Sequence, residues 1–199
     1  MPFIFKRLAL FMSIAAAFAA DKEPPPFRPA AAASFAHHQA NAQVTIGAEP
    51  YDSGEKIKIA FGKVDPYQMG ILPVLVVVEN DSAAAIRLDR LHAEYVGPDR
   101  NRVDATPAAE VRYIRGPDRP SVIGGPGGSR PKILSKKNPL DAWEIEGRAF
   151  SAKMLPAGQS ANGFLYFQTA MQKGATIYLS GITEASTGKE LLYFEIPLE

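Results

Sequence analysis

From Phe150 to its C-terminus the chain is a series of short apolar or alternating runs, each closed by turn residues. Phe150–Leu155 meets Pro156-Ala157-Gly158. Then come Gly163–Thr169 (GFLYFQT), Ala175–Ile182 (ATIYLSGI) and Leu191–Leu198 (LLYFEIPL), with Ser186-Thr187-Gly188-Lys189 closing the last hairpin. Strands this short and this closely spaced cover their apolar faces with one another, as in a sandwich or barrel. No helix-length segment alternates with them, so a parallel sheet is not expected.

The first half carries fewer but longer signals. Val44, Ile46 and Ala48 alternate with Thr45 and Gly47, as a half-buried strand does. Asp52-Ser53-Gly54-Glu55 offers a cap and Gly62 a stop, which favours a short helix over 53–61; Ile57, Ile59 and Phe61 also alternate as a strand would. Pro73–Asn80 (PVLVVVEN) is apolar on both faces, as in a central strand, and Ile86–Val96 reads as a second long one. The expected core residues are Val74, Val76, Val78, Leu165, Phe167, Ile177, Leu179, Phe194 and Ile196.

Several of these runs together resemble a known class. Phe61-Gly62, then Gly70-Ile-Leu-Pro-Val74 leading into Val76-Val-Val-Glu-Asn80, and later Leu155-Pro-Ala-Gly158 before Gly163-Phe-Leu-Tyr-Phe167 are similar to exported bacterial proteins with a telokin-like, immunoglobulin-like β-sandwich domain. The resemblance spans about residues 44–199 and departs from that class over a long insertion, 97–141. It implies an immunoglobulin-like antiparallel β-sandwich, to which the residues add one or two short helices and a long irregular insertion, so the expected fold is all-β. It implies a secreted location, and it transfers no catalytic or binding residue.

The N-terminus points the same way. Lys6 and Arg7 precede Leu8–Ala20, which is apolar but for Ser13 and ends at Asp21-Lys22-Glu23. That length suits a signal peptide, whereas a membrane span needs about 20 residues. Ala17-Phe18-Ala19 presents the small residues a signal peptidase accepts, so residues 1–19 are expected to be removed; an uncleaved anchor is the alternative. Residues 20–43, with Pro24-Pro25-Pro26, Pro29 and an alanine run, read as a Pro/Ala-rich linker, and 44–199 as the sandwich domain. The expected location is periplasmic or extracellular.

Composition narrows the chemistry. The 199-residue chain has no Cys, which excludes disulfides, thiolate metal sites and a thiol nucleophile. His37-His38 lies in the linker without a third ligand nearby, and His92 falls inside a strand as a structural or surface residue. No G-x-S-x-G elbow surrounds Ser129, and neither Gly124–Gly128 nor Gly188-Lys189 completes a phosphate loop. Asp99, Asn101, Asp104 and Glu110 mimic a calcium loop, but Val103 holds a ligand position and Arg100 and Arg102 interleave. Glu144 and Glu146 form a same-face carboxylate pair if they lie in a strand, and Trp143 reads as a core or sheet-edge anchor. No catalytic residue, metal or cofactor is expected.

The functional expectation is an exported, non-catalytic binding or envelope-assembly module, with a secreted hydrolase using scattered carboxylates as the alternative. The candidate contact surface is the insertion, where Arg112, Arg115, Arg119, Arg130, Lys132, Lys136 and Lys137 face the single acid Asp118 in a chain of formal net charge +1. Such a cluster attracts an envelope protein or an anionic surface. Nucleic acid is not expected, and membrane contact only through an uncleaved signal segment.

Overall fold

The computed structural model describes residues 27–114, 121–123, 132–134, 138–191 and 193–199. The expected signal peptide lies outside them, as does the linker up to residue 26. In chain order the elements are β1 (His38–Asn41), β2 (Val44–Pro50), α1 (Gly54–Phe61), β3 (Leu72–Asn80), β4 (Ile86–Arg87), β5 (His92–Val96), β6 (Arg102–Asp104) and α2 (Ala108–Val111). They continue with β7 (Ser121–Ile123), β8 (Lys132–Leu134), α3 (Trp143–Gly147), β9 (Met154–Leu155), β10 (Gln159–Phe167), β11 (Thr176–Ser180), β12 (Thr183–Glu184) and β13 (Phe194–Pro197).

Two antiparallel sheets, β1-β2-β3-β10 and β13-β11-β5-β6, face each other; β12-β4-β9 forms a small third sheet and β7-β8 a hairpin. The chain crosses from one large sheet to the other between β3 and β5, returns between β6 and β10, and crosses again between β10 and β11. These are the connections of an immunoglobulin-like sandwich.

Why β3 lacks alternation is now clear: it is covered on both faces. Leu72, Val74, Val76 and Val78 enter the core between the sheets with Phe167, Ile177, Leu179, Phe194 and Ile196. Leu75 and Val77 point the other way, into a second core with Phe61, Val111, Ile145, Phe164 and Tyr166. The molecule therefore has three layers, the third built from α1, α2, α3 and the N-terminal segment. Of the expected core residues, Leu165 alone is only partly buried. Among the described residues Asn80 is the one buried polar side chain; its Nδ2 donates to Ala84 O at 2.9 Å and Leu155 O at 3.0 Å.

Residues 54–61 settle as helix, with a cap at its start and a glycine stop at its end. Ile57, Ala60 and Phe61 share its inner face, leaving Ile59 65% exposed, whereas a strand would have put Ile57, Ile59 and Phe61 together. Ser53 Oγ caps the first turn by accepting from Lys56 N at 3.4 Å, and Gly62, at φ 63°, ends it.

Two expectations are corrected. The linker does not extend to residue 43: His38–Asn41 pairs with β2, Ala32 is fully buried, and Phe27 and Phe35 pack against the second core. Their apolar side chains give this segment the burial a tether lacks. Nor is 86–96 one strand. Leu88–Leu91 forms a turn, with Leu91 N donating to Leu88 O at 3.1 Å, and delivers β4 and β5 to different sheets. The 97–141 segment opens within the fold, since β6 adds to the edge of β5. Among the described residues no helix is long and apolar enough to cross a membrane.

Candidate functional site: the α2–α3 corner

Where α2 meets α3, the two ends of the basic segment are tied together. Asn138 Nδ2 donates to Arg112 O at 2.6 Å, and Asn138 Oδ1 accepts from Leu140 N at 3.0 Å. Arg112 Nη1 donates to Asp141 Oδ1 at 2.9 Å, and its Nη2 pairs with Glu146. Val111, Leu140 and Ile145 sink into the second core beneath, and the buried Tyr166 hydroxyl donates to Ile145 O at 2.7 Å. The corner is thus a rigid base from which the basic segment leaves and to which it returns.

Immediately after α3 the chain runs along the edge of β10. Phe164 N donates to Arg148 O at 2.8 Å, and Phe150 N donates to Phe164 O at 3.0 Å. The approach is this close because Gly163 has no side chain; a Cβ there would stand 2.4 Å from Phe150 Cα. This pairing fixes the backbone of Arg148. Its guanidinium lies over the Phe27 ring at 5.1 Å and over the Trp143 ring at 6.0 Å. Nε is buried and has no hydrogen-bond partner among the described residues. The corner's carboxylates, Asp141 and Glu146, are held by Arg112 instead. A buried guanidinium nitrogen without an acceptor is uncommon in a folded protein and asks what satisfies it.

Trp143 is 69% exposed, which corrects its expected place in the core or at a sheet edge. Its ring folds back over Gly147, where a Cβ would come within 2.8 Å of Trp143 Cε3. The ring therefore presents an aromatic face to solvent from a fixed position.

Phe27 also belongs to an open cleft of about 750 Å³ between the N-terminal segment, β2 and α1, lined by Phe35, His37, Glu49, Tyr51 and Lys58 among others. Burial, with the Glu49 carboxylate adding to it, pushes the Tyr51 hydroxyl up to about 12, against the opposing pull of Arg148. The Arg148 charge therefore reaches this cleft.

The sequence candidates fare unevenly. Of the basic residues, Arg112 is engaged in ion pairs and Lys132 opens β8; Arg115, Arg119, Arg130, Lys136 and Lys137 lie outside the described residues, as do Gly124–Gly128 and Ser129. Glu144 and Glu146 stand on the helix α3 rather than a strand, which points them in different directions, and Glu146 is paired with Arg112. Asp99 does not join Asp104 in a cation loop: its Oδ1 accepts from Asn101 N at 3.1 Å to make a turn, and Glu110 sits on α2. Gly188-Lys189 is a hairpin turn, closed by Lys189 N donating to Thr187 Oγ1 at 3.1 Å.

A different grouping does form. Glu94 and Asp104 are cross-strand partners and His92 lies on the same face, with ligand atoms all within 4.8 Å. One imidazole and two carboxylates suit a divalent cation, but Arg102 Nη1 already donates to Glu94 Oε2 at 2.7 Å. A fixed positive charge at that carboxylate opposes metal binding.

Arg148 and Phe27 had no distinguishing mark in the sequence. Only the sole Trp, five positions before an Arg, hinted at the corner.

No protein-family model matches the chain, and no curated protein does. Among solved structures it is similar to the candidate lipoprotein ycdA of Bacillus subtilis subsp. subtilis strain 168. That similarity has 13% identity and a TM-score of 0.36, over 80% of this chain and 38% of the other. The chain thus spans well under half the length of that protein.

Proposed function

We propose that this chain is an exported, non-catalytic binding or envelope-assembly module of the telokin-like, immunoglobulin-like class, and that it takes an anionic polymer at the α2–α3 corner. The observation that carries the reading is the rooting of the basic segment beside Arg148 and Trp143, through the Asn138–Arg112 bond. Long-range attraction by Arg115, Arg119, Arg130, Lys132, Lys136 and Lys137 would bring the polymer to a corner that is itself rigid. Export is supported by Lys6-Arg7, the apolar run Leu8–Ala20 and Ala17-Phe18-Ala19. A binding rather than chemical role is supported by the core between the sheets, whose one buried polar side chain among the described residues, Asn80, is fully hydrogen-bonded.

The test is binding of the chain from Ala20 onward to immobilised acidic polysaccharide and to anionic vesicles. Saturable binding is expected at low salt and should weaken steeply above about 0.1 M, where exposed charges are screened over about 10 Å. Absence of low-salt binding to either polyanion would refute the reading.

A further inference from the structure

We infer that the cleft between the N-terminal segment, β2 and α1 binds a small amphipathic carboxylate, its apolar body against the cleft's aromatic wall and its head group accepting from the Tyr51 hydroxyl. The inference does not rest on the polyanion reading above.

The size and walls of the cleft define what fits. Its volume of about 750 Å³ falls within the range of about 300–1,000 Å³ common for small-molecule sites. Phe27 and Phe35 of the N-terminal segment form one wall, and Leu75, on the face of β3 turned toward the second core, lies at the base. That wall is held close to β2 because Gly47 has no side chain. A Cβ there would stand 2.6 Å from Ala32 O and 2.9 Å from Phe35 Cδ2. Across the cleft, Ile59 of α1 leaves an exposed apolar side chain at the rim. These surfaces suit a short hydrocarbon or aromatic body.

Tyr51 supplies the polar anchor. Only 7% of it is exposed, and its ring packs edge-on against Phe164 at 4.8 Å and Phe27 at 6.2 Å. Its hydroxyl lines the cleft and makes no hydrogen bond with any of the described residues. A nearly buried hydroxyl without an acceptor is uncommon, and a ligand oxygen would satisfy it. Burial pushes this hydroxyl up to about 12, so at neutral pH it is a donor.

Charge selects an anion as the head group. Arg28 and Lys58 are exposed members of the lining, and neither is in an ion pair among the described residues. Of the two acids in the lining, Glu49 is already paired with Lys56 at 2.9 Å, and Glu199 is exposed to solvent. The Arg148 charge also acts on Tyr51 in the direction that favours a negative neighbour. An ammonium head would be repelled by Arg28 and Lys58, and an uncharged head would leave both unused. A carboxylate uses the cations and accepts the Tyr51 hydrogen bond at once.

The chain from Ala20 onward would be titrated by calorimetry with octanoate, octanol, octyltrimethylammonium and acetate. Octanoate should bind saturably and about tenfold or more tighter than octanol. Octyltrimethylammonium, with the wrong charge, and acetate, with no apolar body, should bind more weakly than octanoate. Tyr51→Phe keeps the ring against Phe27 and Phe164 and removes only the hydroxyl. It should lower octanoate affinity about tenfold, as loss of a hydrogen bond to a charged group does. The double variant Arg28→Gln, Lys58→Gln should lower octanoate affinity while leaving octanol affinity and the melting temperature unchanged, since both positions are exposed. Octanol or acetate binding as tightly as octanoate would overturn the inference. So would wild-type octanoate affinity in both variants, or the absence of saturable octanoate binding.

Discussion

The backbone amide of Glu195 donates a 2.7 Å hydrogen bond to Gln39 Oε1, joining the last strand of one sheet to the first strand of the other. β13 pairs with β11 on one side only, so this contact satisfies an amide on its outer edge. Gln39→Ala should cost about 1 kcal/mol. That corresponds to a fall of about 2–4 °C in melting temperature for a domain of this size. An unchanged melting curve would show that the contact does not hold the sheets together.

Asn80 is the more sensitive position. Its Nδ2 serves two carbonyls while its Oδ1 accepts from Ser82 N at 3.2 Å and Ser82 Oγ at 2.6 Å. Asn80→Ala should lose about 1–3 kcal/mol in urea unfolding, because buried groups are left unpaired. Asn80→Asp would set a carboxylate against the carbonyls of Ala84 and Leu155, disfavouring its ionised form and raising its folded pKa above the unfolded value of about 3.9. The stability of that variant should be retained below about pH 4 and lost as pH rises through the raised value. Unfolding at pH 4 and pH 7 checks the direction.

In the core between the sheets, Phe167 and Phe194 are both fully buried. Truncating either to Ala should cost about 3–5 kcal/mol by chemical denaturation. Ile59→Ser, at an exposed position of α1, should stay within about 0.5 kcal/mol of wild type. Reversal of that ranking would mean the inner faces are assigned wrongly.

Alkaline pH should destabilise both cores, since Tyr95 belongs to the one between the sheets and Tyr51 and Tyr166 to the second. Burial is the main cause that raises Tyr51, Tyr95 and Tyr166 above the ordinary 10.0, Tyr51 to about 12. The folded chain keeps these protons where the unfolded chain gives them up. Stability is therefore undiminished below about pH 10 and falls as pH climbs through the folded values. Absorbance at alkaline pH should show Tyr51, Tyr95 and Tyr166 ionising only as the protein unfolds.

Most of the sandwich was legible because its strands state their inner faces locally. Val74-x-Val76-x-Val78 and Phe194-x-Ile196 need only the two-residue period of a strand. The misses each have a physical origin. β1 was invisible because its hairpin turn is made by Ala42 and Gln43 at φ 49° and 60°, where Asn or Gly would have announced it. Gly163–Phe167 is apolar at both parities, so its sequence does not show that Leu165, facing the core between the sheets, is only partly buried while Phe164 and Tyr166 fill the second core. A third layer cannot be read from the sheet it covers. The corner was hidden for a related reason: Arg148 gains its environment from Phe27, far away in sequence and inside what looked like a tether.

The knot of Arg112, Asn138, Asp141 and Glu146 also bears on how such a protein can diversify. The chain departs and returns through two points joined by one 2.6 Å bond, both anchored by residues of the second core. Whatever lies between them can lengthen, shorten or change its charge without altering the register of any strand in the two large sheets. On the proposed reading, recognition and folding are thereby placed under separate selection, and a new specificity arises by replacing a cassette rather than by remodelling a domain.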